Sequence, residues 1–247
     1  MPINSLIKLI VFLFLTAVCI FGLQPFQASV DASKTLVEQE GIYANEVKRL
    51  SDGTYLVAVR TDMPDVKADM VRWWFKEFLQ TSEQYKLWHP KDHIWMNWEN
   101  KKPGTIIGAS HLVHEYIGKD LNKLRINFID PSEFFGYDPN DINTFVLCAK
   151  VGYLLESLNL GKMCHIIRDT KKGSEMRTRF WLGHVEERDM KDNLISIQEL
   201  IGNTSLARLF MVTKEDAEDL KKHAEEEMKF LSEILPNIYN SNSTVKQ

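Results

Sequence analysis

The run from Thr213 to Ile238 reads as one amphipathic helix that carries a carboxylate inside its apolar stripe. At about 100° per residue, Leu220, Ala224, Met228, Phe230, Leu231, Ile234, Leu235 and Ile238 gather into one arc of roughly 160°. Lys221, Lys222, Glu225, Glu226, Lys229 and Glu233 fall outside it. Glu227 lies within the arc, and His223, one turn earlier, lies at its edge. A buried charge needs a partner. No lysine or arginine of this helix points toward Glu227, so the partner is a residue of another element or a metal ion, which an imidazole and a carboxylate at i and i+4 can meet together. The same two residues can equally hydrogen-bond each other, or the glutamate can snorkel to solvent. The helix alone does not choose.

Strands fill the chain before that helix. Thr54 to Arg60 alternates as a strand after Gly53, and Asp65 to Thr81 has helical spacing with Val66, Met70, Trp73, Trp74, Glu77 and Phe78 on one face. A loop is expected next, holding Tyr85, Trp88, His89, Pro90, Asp92, His93, Trp95 and Trp98, well above the chain's aromatic average of 11%. His89, Asp92 and His93 in an irregular segment suggest the wall of a site. Thr105 to Phe128 reads as two strands joined through Gly118, Lys119 and Asp120. Val146 to Tyr153 and Cys164 to Arg168 add more strand, with a short helix open for Gly152 to Leu160. Ser174 to Leu182 alternates cleanly, with Met176, Thr178, Phe180 and Leu182 on one face and Glu175, Arg177, Arg179 and Trp181 on the other. Ile195 to Val212 reads as a short helix and a connection, Thr213 caps the last helix with Asp216, and residues 240–247 are expected to be disordered. This order predicts an α+β fold, an antiparallel sheet with the long helix packed on it.

With 247 residues, 44% hydrophobic and 26% charged, the chain can build a single core, and one domain over 33–239 is expected. A net charge of -4 leaves no basic stripe for phosphates, so nucleic acid is not a partner. Residues 1–32 have the pattern of a secretory signal peptide: Lys8, an apolar run from Leu9 to Leu23, then small residues around Ala28 and Ala32. The run is short against the roughly 20 residues of a membrane span, so cleavage ranks ahead of an uncleaved membrane anchor. Either way the folded part lies outside the cytoplasm, periplasmic or extracellular. Cys19 belongs to this leader, and Cys148 and Cys164 either pair in an oxidising compartment or stay buried as thiols.

Glu115 is the strongest further carboxylate, on a strand face shared with Val113 and Ile117. His89, His93, His111 and His114 are the nearby imidazoles, of which His93 stands beside Asp92 and the clustered aromatics, whereas His114 points away from Glu115. His165 and His184 sit near other strands. No Gly-rich phosphate loop and no G-x-S-x-G elbow is present, which leaves phosphoryl transfer and serine hydrolysis without support.

Several segments resemble the diacetylphloroglucinol hydrolase and phloretin hydrolase family, in the family's order. These are Arg72-Trp73-Trp74-Phe75, Tyr85 to His93, His114-Glu115-Tyr116-Ile117-Gly118, His165 to Thr170, Glu175 to Gly183, and His223 to Met228. The resemblance covers Asp65 to Tyr239. It implies a helix-grip fold, a curved antiparallel sheet around a long C-terminal helix with a ligand cavity between, as in the pollen-allergen group. It further implies a zinc site of two histidines and two glutamates, here His93, Glu115, His223 and Glu227. His93 rather than His89 follows from Tyr85, which matches a family tyrosine eight residues upstream. The implied reaction is zinc-dependent hydrolysis of the carbon–carbon bond between an acyl group and a polyhydroxylated ring, with Tyr85 and His165 as candidates for handling protons and Trp88 and Phe180 as candidates for the substrate wall. The substrate would be a small phenolic ketone. Four protein ligands ordinarily mark a closed structural zinc, so activity requires a fifth position or a carboxylate that swings away. Two other readings stand beside the enzyme: a non-catalytic binding module for apolar or phenolic ligands, and a structural zinc protein that unfolds when the metal is removed. Assembly as a homodimer is compatible with all three.

Overall fold

The computed structural model describes residues 10–13, 45–188 and 196–243. Of the expected leader only 10–13 are described, as helix, and no helix among the described residues is long and apolar enough to cross a membrane. Eight strands make one antiparallel sheet: β1 (Glu46–Arg49), β2 (Tyr55–Pro64), β3 (His93–Glu99), β4 (Ser110–Ile117), β5 (Asp120–Ile129), β6 (Thr144–Tyr153), β7 (Leu158–Thr170) and β8 (Gly173–Glu187). Their spatial order is β1-β2-β8-β7-β6-β5-β4-β3. The first strands therefore pair with the last, and β3 forms the far edge. The helices are α1 (Ala68–Trp73) with its continuation to Phe78, α2 (Ser82–Trp88), α3 (Ser132–Phe135), α4 (Ile197–Gly202), α5 (Ser205–Met211) and α6 (Lys214–Ser243). The sheet is curved and α6 lies against it, in contact with β1, β2, β4, α1 and α2, which is the helix-grip arrangement.

Alternation along β8 divides the core. Met176 and Phe180 face the helix side with Trp74, Tyr85, Phe128, Met228, Leu231 and Leu235. Trp181 faces the other side, where Phe134 and Phe135 of α3 cover Leu56, Val146, Cys148, Cys164 and Ile166. The sheet is thus buried on both faces near its middle, and there Cys148 and Cys164, in register across β6 and β7, form a disulfide.

Several expectations are corrected. The helix predicted from Asp65 starts at Ala68, because Asp65 has a positive φ of 62° and Lys67 is extended. It widens over Trp74–Phe78 into a π turn closed by Leu79 N–H on the Trp74 carbonyl at 2.9 Å, and Leu79 leaves in an extended conformation. The predicted aromatic loop is instead α2 and β3. A capping box starts α2, with Gln84 N–H on Thr81 Oγ1 and the Gln84 side chain back on Thr81 N–H at 3.0 Å. Gly152 to Leu160 is the end of β6, a turn over residues 154–157 and the start of β7, not a helix, and the region around Ser196–Val212 holds two short helices, each capped by a hydroxyl residue, Ser196 and Thr204.

Thr213 and Asp216 do cap α6, each side chain accepting the other's backbone N–H at 2.9 and 3.1 Å. At its far end α6 runs through Asn240 to Ser243, past the expected start of disorder. There the Ser241 hydroxyl and the Asn242 side-chain amide donate to the carbonyls of Asn237 and Ile238 one turn back, both at 2.8 Å. Phe230, placed in the stripe by the wheel, is 38% exposed at its rim.

Candidate metal centre

The site is assembled by register. His93 opens β3 directly opposite Glu115 on β4, so the strand pairing sets an imidazole beside a carboxylate before any helix is added. The register shifts just after His93, which aims its ring inward while the rest of the edge strand follows its own alternation. From the other side α6 delivers His223 and Glu227 on one face, held by Trp88, whose indole N–H donates to the Glu227 carbonyl at 3.0 Å. Alternation on β4 also brings His111 to the face of Glu115. It was among the nearby imidazoles of the sequence, and its spacing of i and i+4 along the strand puts it on that face.

The four side chains that resemblance pointed to meet in one buried cluster, each between 1% and 9% exposed. His93 Nε2 stands 3.5 Å from Glu227 Oε1 and 3.8 Å from Glu115 Oε2. Ligand-type atoms of His93, Glu115 and His223 all fall within 4.8 Å of one another. The Nδ1 of His93 lies 3.0 Å from the Tyr85 carbonyl, which can only accept, so the ring's proton is on Nδ1 and its Nε2 lone pair faces the carboxylates. Nε2 of His93 and Nε2 of His223 are buried without a hydrogen-bond partner. Buried polar atoms are nearly always satisfied, and two imidazoles with two carboxylates are a donor set that suits a zinc-like ion. The residues fit such an ion.

Electrostatics follow the crowding. Burial works against ionising Glu227, yet the surrounding imidazoles of His93, His223 and His165, His93 foremost, outweigh that and hold its carboxyl below the usual range. Burial likewise opposes protonation of His223, but Glu115, Glu227 and Asp92 outweigh it and raise its value. Burial and the charges of Glu115 and Glu227 push the Tyr85 hydroxyl well above its ordinary value, so it stays a neutral phenol. That phenol donates to Glu115, and its ring stacks on His93 with centroids 3.7 Å apart.

Elsewhere around the cluster, His165 on β7 is buried, touches Thr178 Oγ1 through Nδ1 at 2.8 Å, and is lowered by burial to about 4. Phe180 meets its ring edge-on at 6.2 Å. Trp88 is in the core against Trp74, Phe75, Tyr85 and His93. Two cavities lie elsewhere, one of about 180 Å³ between Ile106, Phe128, Phe145 and Leu147, and one of about 580 Å³ against Ser110, Arg125, Asn127 and Arg188. Neither is lined by Trp88, Phe180 or the four cluster residues. The donor geometry locates the centre, and cavity size does not.

Fold and cluster together define a helix-grip protein with a buried histidine–carboxylate centre suited to a metal ion. The chain belongs to the DAPG hydrolase family, since the profile described as "DAPG hydrolase PhiG domain" matches residues 28–240. It is similar to the phloretin hydrolase of Eubacterium ramulus, 30% identical over 168 residues, 62% of this chain and 60% of that protein. The 2,4-diacetylphloroglucinol hydrolase of Pseudomonas protegens (strain DSM 19095 / LMG 27888 / CFBP 6595 / CHA0) is 25% identical over 145 residues, 51% of this chain and 46% of that protein. The chain thus spans about half the length of these relatives. Among solved structures, Ara h 8.0201 aligns at a TM-score of 0.42 and 9% identity over 73% of this chain and 97% of its own. Truncated norcoclaurine synthase from Thalictrum flavum aligns at 0.36 and 10% identity over 71% of this chain and 100% of its own.

Proposed function

We propose that the chain is a zinc-dependent hydrolase that cleaves the carbon–carbon bond between an acyl group and a polyhydroxylated aromatic ring, in the manner of an acylphloroglucinol-like ketone. The observation that carries this reading is His93 Nε2, buried without a partner and facing two glutamates. His93, Glu115, His223 and Glu227 would hold the ion. Zinc there supplies Lewis acidity, polarising the acyl carbonyl and making water nucleophilic near neutral pH.

The chain's own residues handle position and protons. Tyr85 keeps its proton, holds Glu115 in place and stacks on His93. His165, with a value of about 4, is neutral at pH 7 and can accept a proton from water and return it to the ring carbon. Hydroxide adds to the acyl carbon, the carbon–carbon bond breaks with its electron pair going to the ring, and that ring carbon takes the proton. A ring with several hydroxyls accepts the pair because it can leave as the enolate of its keto tautomer. The products are a carboxylic acid and the deacylated phenol.

Export is part of the same proposal. The Cys148–Cys164 disulfide supports an oxidising compartment, where the N-terminal apolar run would deliver the chain. The test is to measure bound metal in the purified chain and to screen acylphloroglucinols for acid release, with and without chelator. One zinc per chain and chelator-sensitive hydrolysis are expected. A metal-loaded chain that binds acylphenols but releases no acid would instead be a ligand-binding module.

A further inference from the structure

On another side of His223 stands a second group that the proposed chemistry does not use. His89 and Asp92 lie in the turn between α2 and β3, at 0% and 8% exposure. One carboxylate oxygen, Asp92 Oδ2, is 3.4 Å from His223 Nδ1 and 3.5 Å from His89 Nε2. Glu226 Oε2 approaches His89 Nε2 at 3.7 Å from the half-exposed side of α6. The turn is fixed by its own backbone: His93 N–H donates to the His89 carbonyl, and Tyr116 N–H on β4 donates to the Asp92 carbonyl, both at 2.9 Å.

The proton positions follow from those bonds. The backbone N–H of Asp92 donates to His89 Nδ1 at 3.2 Å, so that nitrogen is bare and the neutral ring carries its proton on Nε2, facing Asp92. His93, four residues on, has the opposite tautomer, because its Nδ1 faces a carbonyl. One short segment therefore presents a lone pair at His93 and an N–H at His89.

Resting on the metal reading above, we propose that His89 and Asp92 are positioning residues for His223. Asp92 receives the Nδ1 proton of His223 and leaves Nε2 as the metal-facing lone pair, while His89 holds the Asp92 carboxylate through its Nε2–H. Histidine ligands are commonly oriented by such a carboxylate partner. The competing use of these residues is a second metal ion, since ligand-type atoms of His89, Asp92 and His223 also lie within 4.8 Å of one another. That use needs a lone pair on His89 Nε2, which the bond from Asp92 N–H denies. The stoichiometry is one ion per chain.

The experiment titrates zinc into the full chain against a chromophoric chelator, for wild type, Asp92→Ala, His89→Phe and His89→Gln, with nitrogen-resolved NMR of the histidine rings before and after loading. Asp92→Ala weakens zinc binding by about 10- to 100-fold with the fold intact. His89→Phe also weakens it, and His89→Gln, which restores an N–H donor, recovers most of the loss. The spectra show His89 protonated on Nε2. Two ions per wild-type chain, with one lost in His89→Phe, overturn the relay in favour of a second site. One ion with unchanged affinity in folded Asp92→Ala overturns the relay alone, whereas a wild-type chain that takes up no zinc overturns the metal reading and the relay with it.

Discussion

Two buried polar clusters in this protein are built on opposite accounts of their hydrogen bonds. Around Arg208, Nε donates to the Gly183 carbonyl at 3.0 Å, Nη1 to the Asp52 carbonyl at 2.7 Å, and Nη2 to Asn203 Oδ1 at 2.9 Å. Asp52 in turn accepts from the backbone and hydroxyl of Thr54 at 3.0 and 2.6 Å. That knot ties the β1–β2 turn to β8 and α5, and every guanidinium nitrogen has a partner. In the other cluster Nε2 of His93 and Nε2 of His223 have none. In the first cluster every guanidinium donor is used and Asp52 Oδ2 faces Arg208 Nη1 at 3.6 Å as its ion pair, whereas in the second the imidazole nitrogens themselves are left over.

The largest effect expected from breaking this contrast is at the open cluster. Glu227→Gln or His93→Ala should abolish stoichiometric zinc binding while thermal unfolding of the metal-free chain shifts little. A metal content equal to wild type in both variants would remove the distinction. At the closed cluster the outcome should be reversed. Arg208→Ala strands Asp52 and three carbonyl-type acceptors and should cost about 3–5 kcal/mol in urea denaturation, with zinc per folded chain unchanged.

Acid should reveal a further difference among the buried imidazoles. His165 and His111 are held by burial at about 4 and about 3, below the ordinary 6.5. The unfolded chain therefore takes up their protons first as pH falls. The contribution of these two to metal-free stability should be level above pH 6.5 and decline toward pH 4 by up to about 1.4 kcal/mol per pH unit for each proton, and His165→Gln should flatten part of that decline. The smallest effect is outside both clusters: Thr213→Ala removes a cap of α6 and should cost about 1 kcal/mol, seen as an earlier unfolding midpoint with zinc affinity intact.

What the sequence made legible were features with a strong period or a clear exception. The stripe of α6, its cap at Thr213, the β4–β5 hairpin at Gly118 and the two faces of β8 are all present. Glu227 stood out because a carboxylate interrupts an apolar arc. Short elements were not legible by period, and α2 and β3 hid inside a dense aromatic run, although Thr81-x-x-Gln84 was available as a helix start. His111 stood among the nearby imidazoles without a face assigned to it, because strand alternation was applied to Glu115 and not carried back four residues. The opposed tautomers of His89 and His93 are invisible to any pattern, since backbone groups set them.

The way α6 closes the sheet also sets an order of events. His93 and Glu115 come from the middle of the chain and are brought together by neighbouring strands, but His223 and Glu227 belong to its last long helix. A nascent or clipped chain lacking that helix holds half of a coordination sphere. If the cluster holds a metal as proposed, its capture reports that α6 has docked on the sheet.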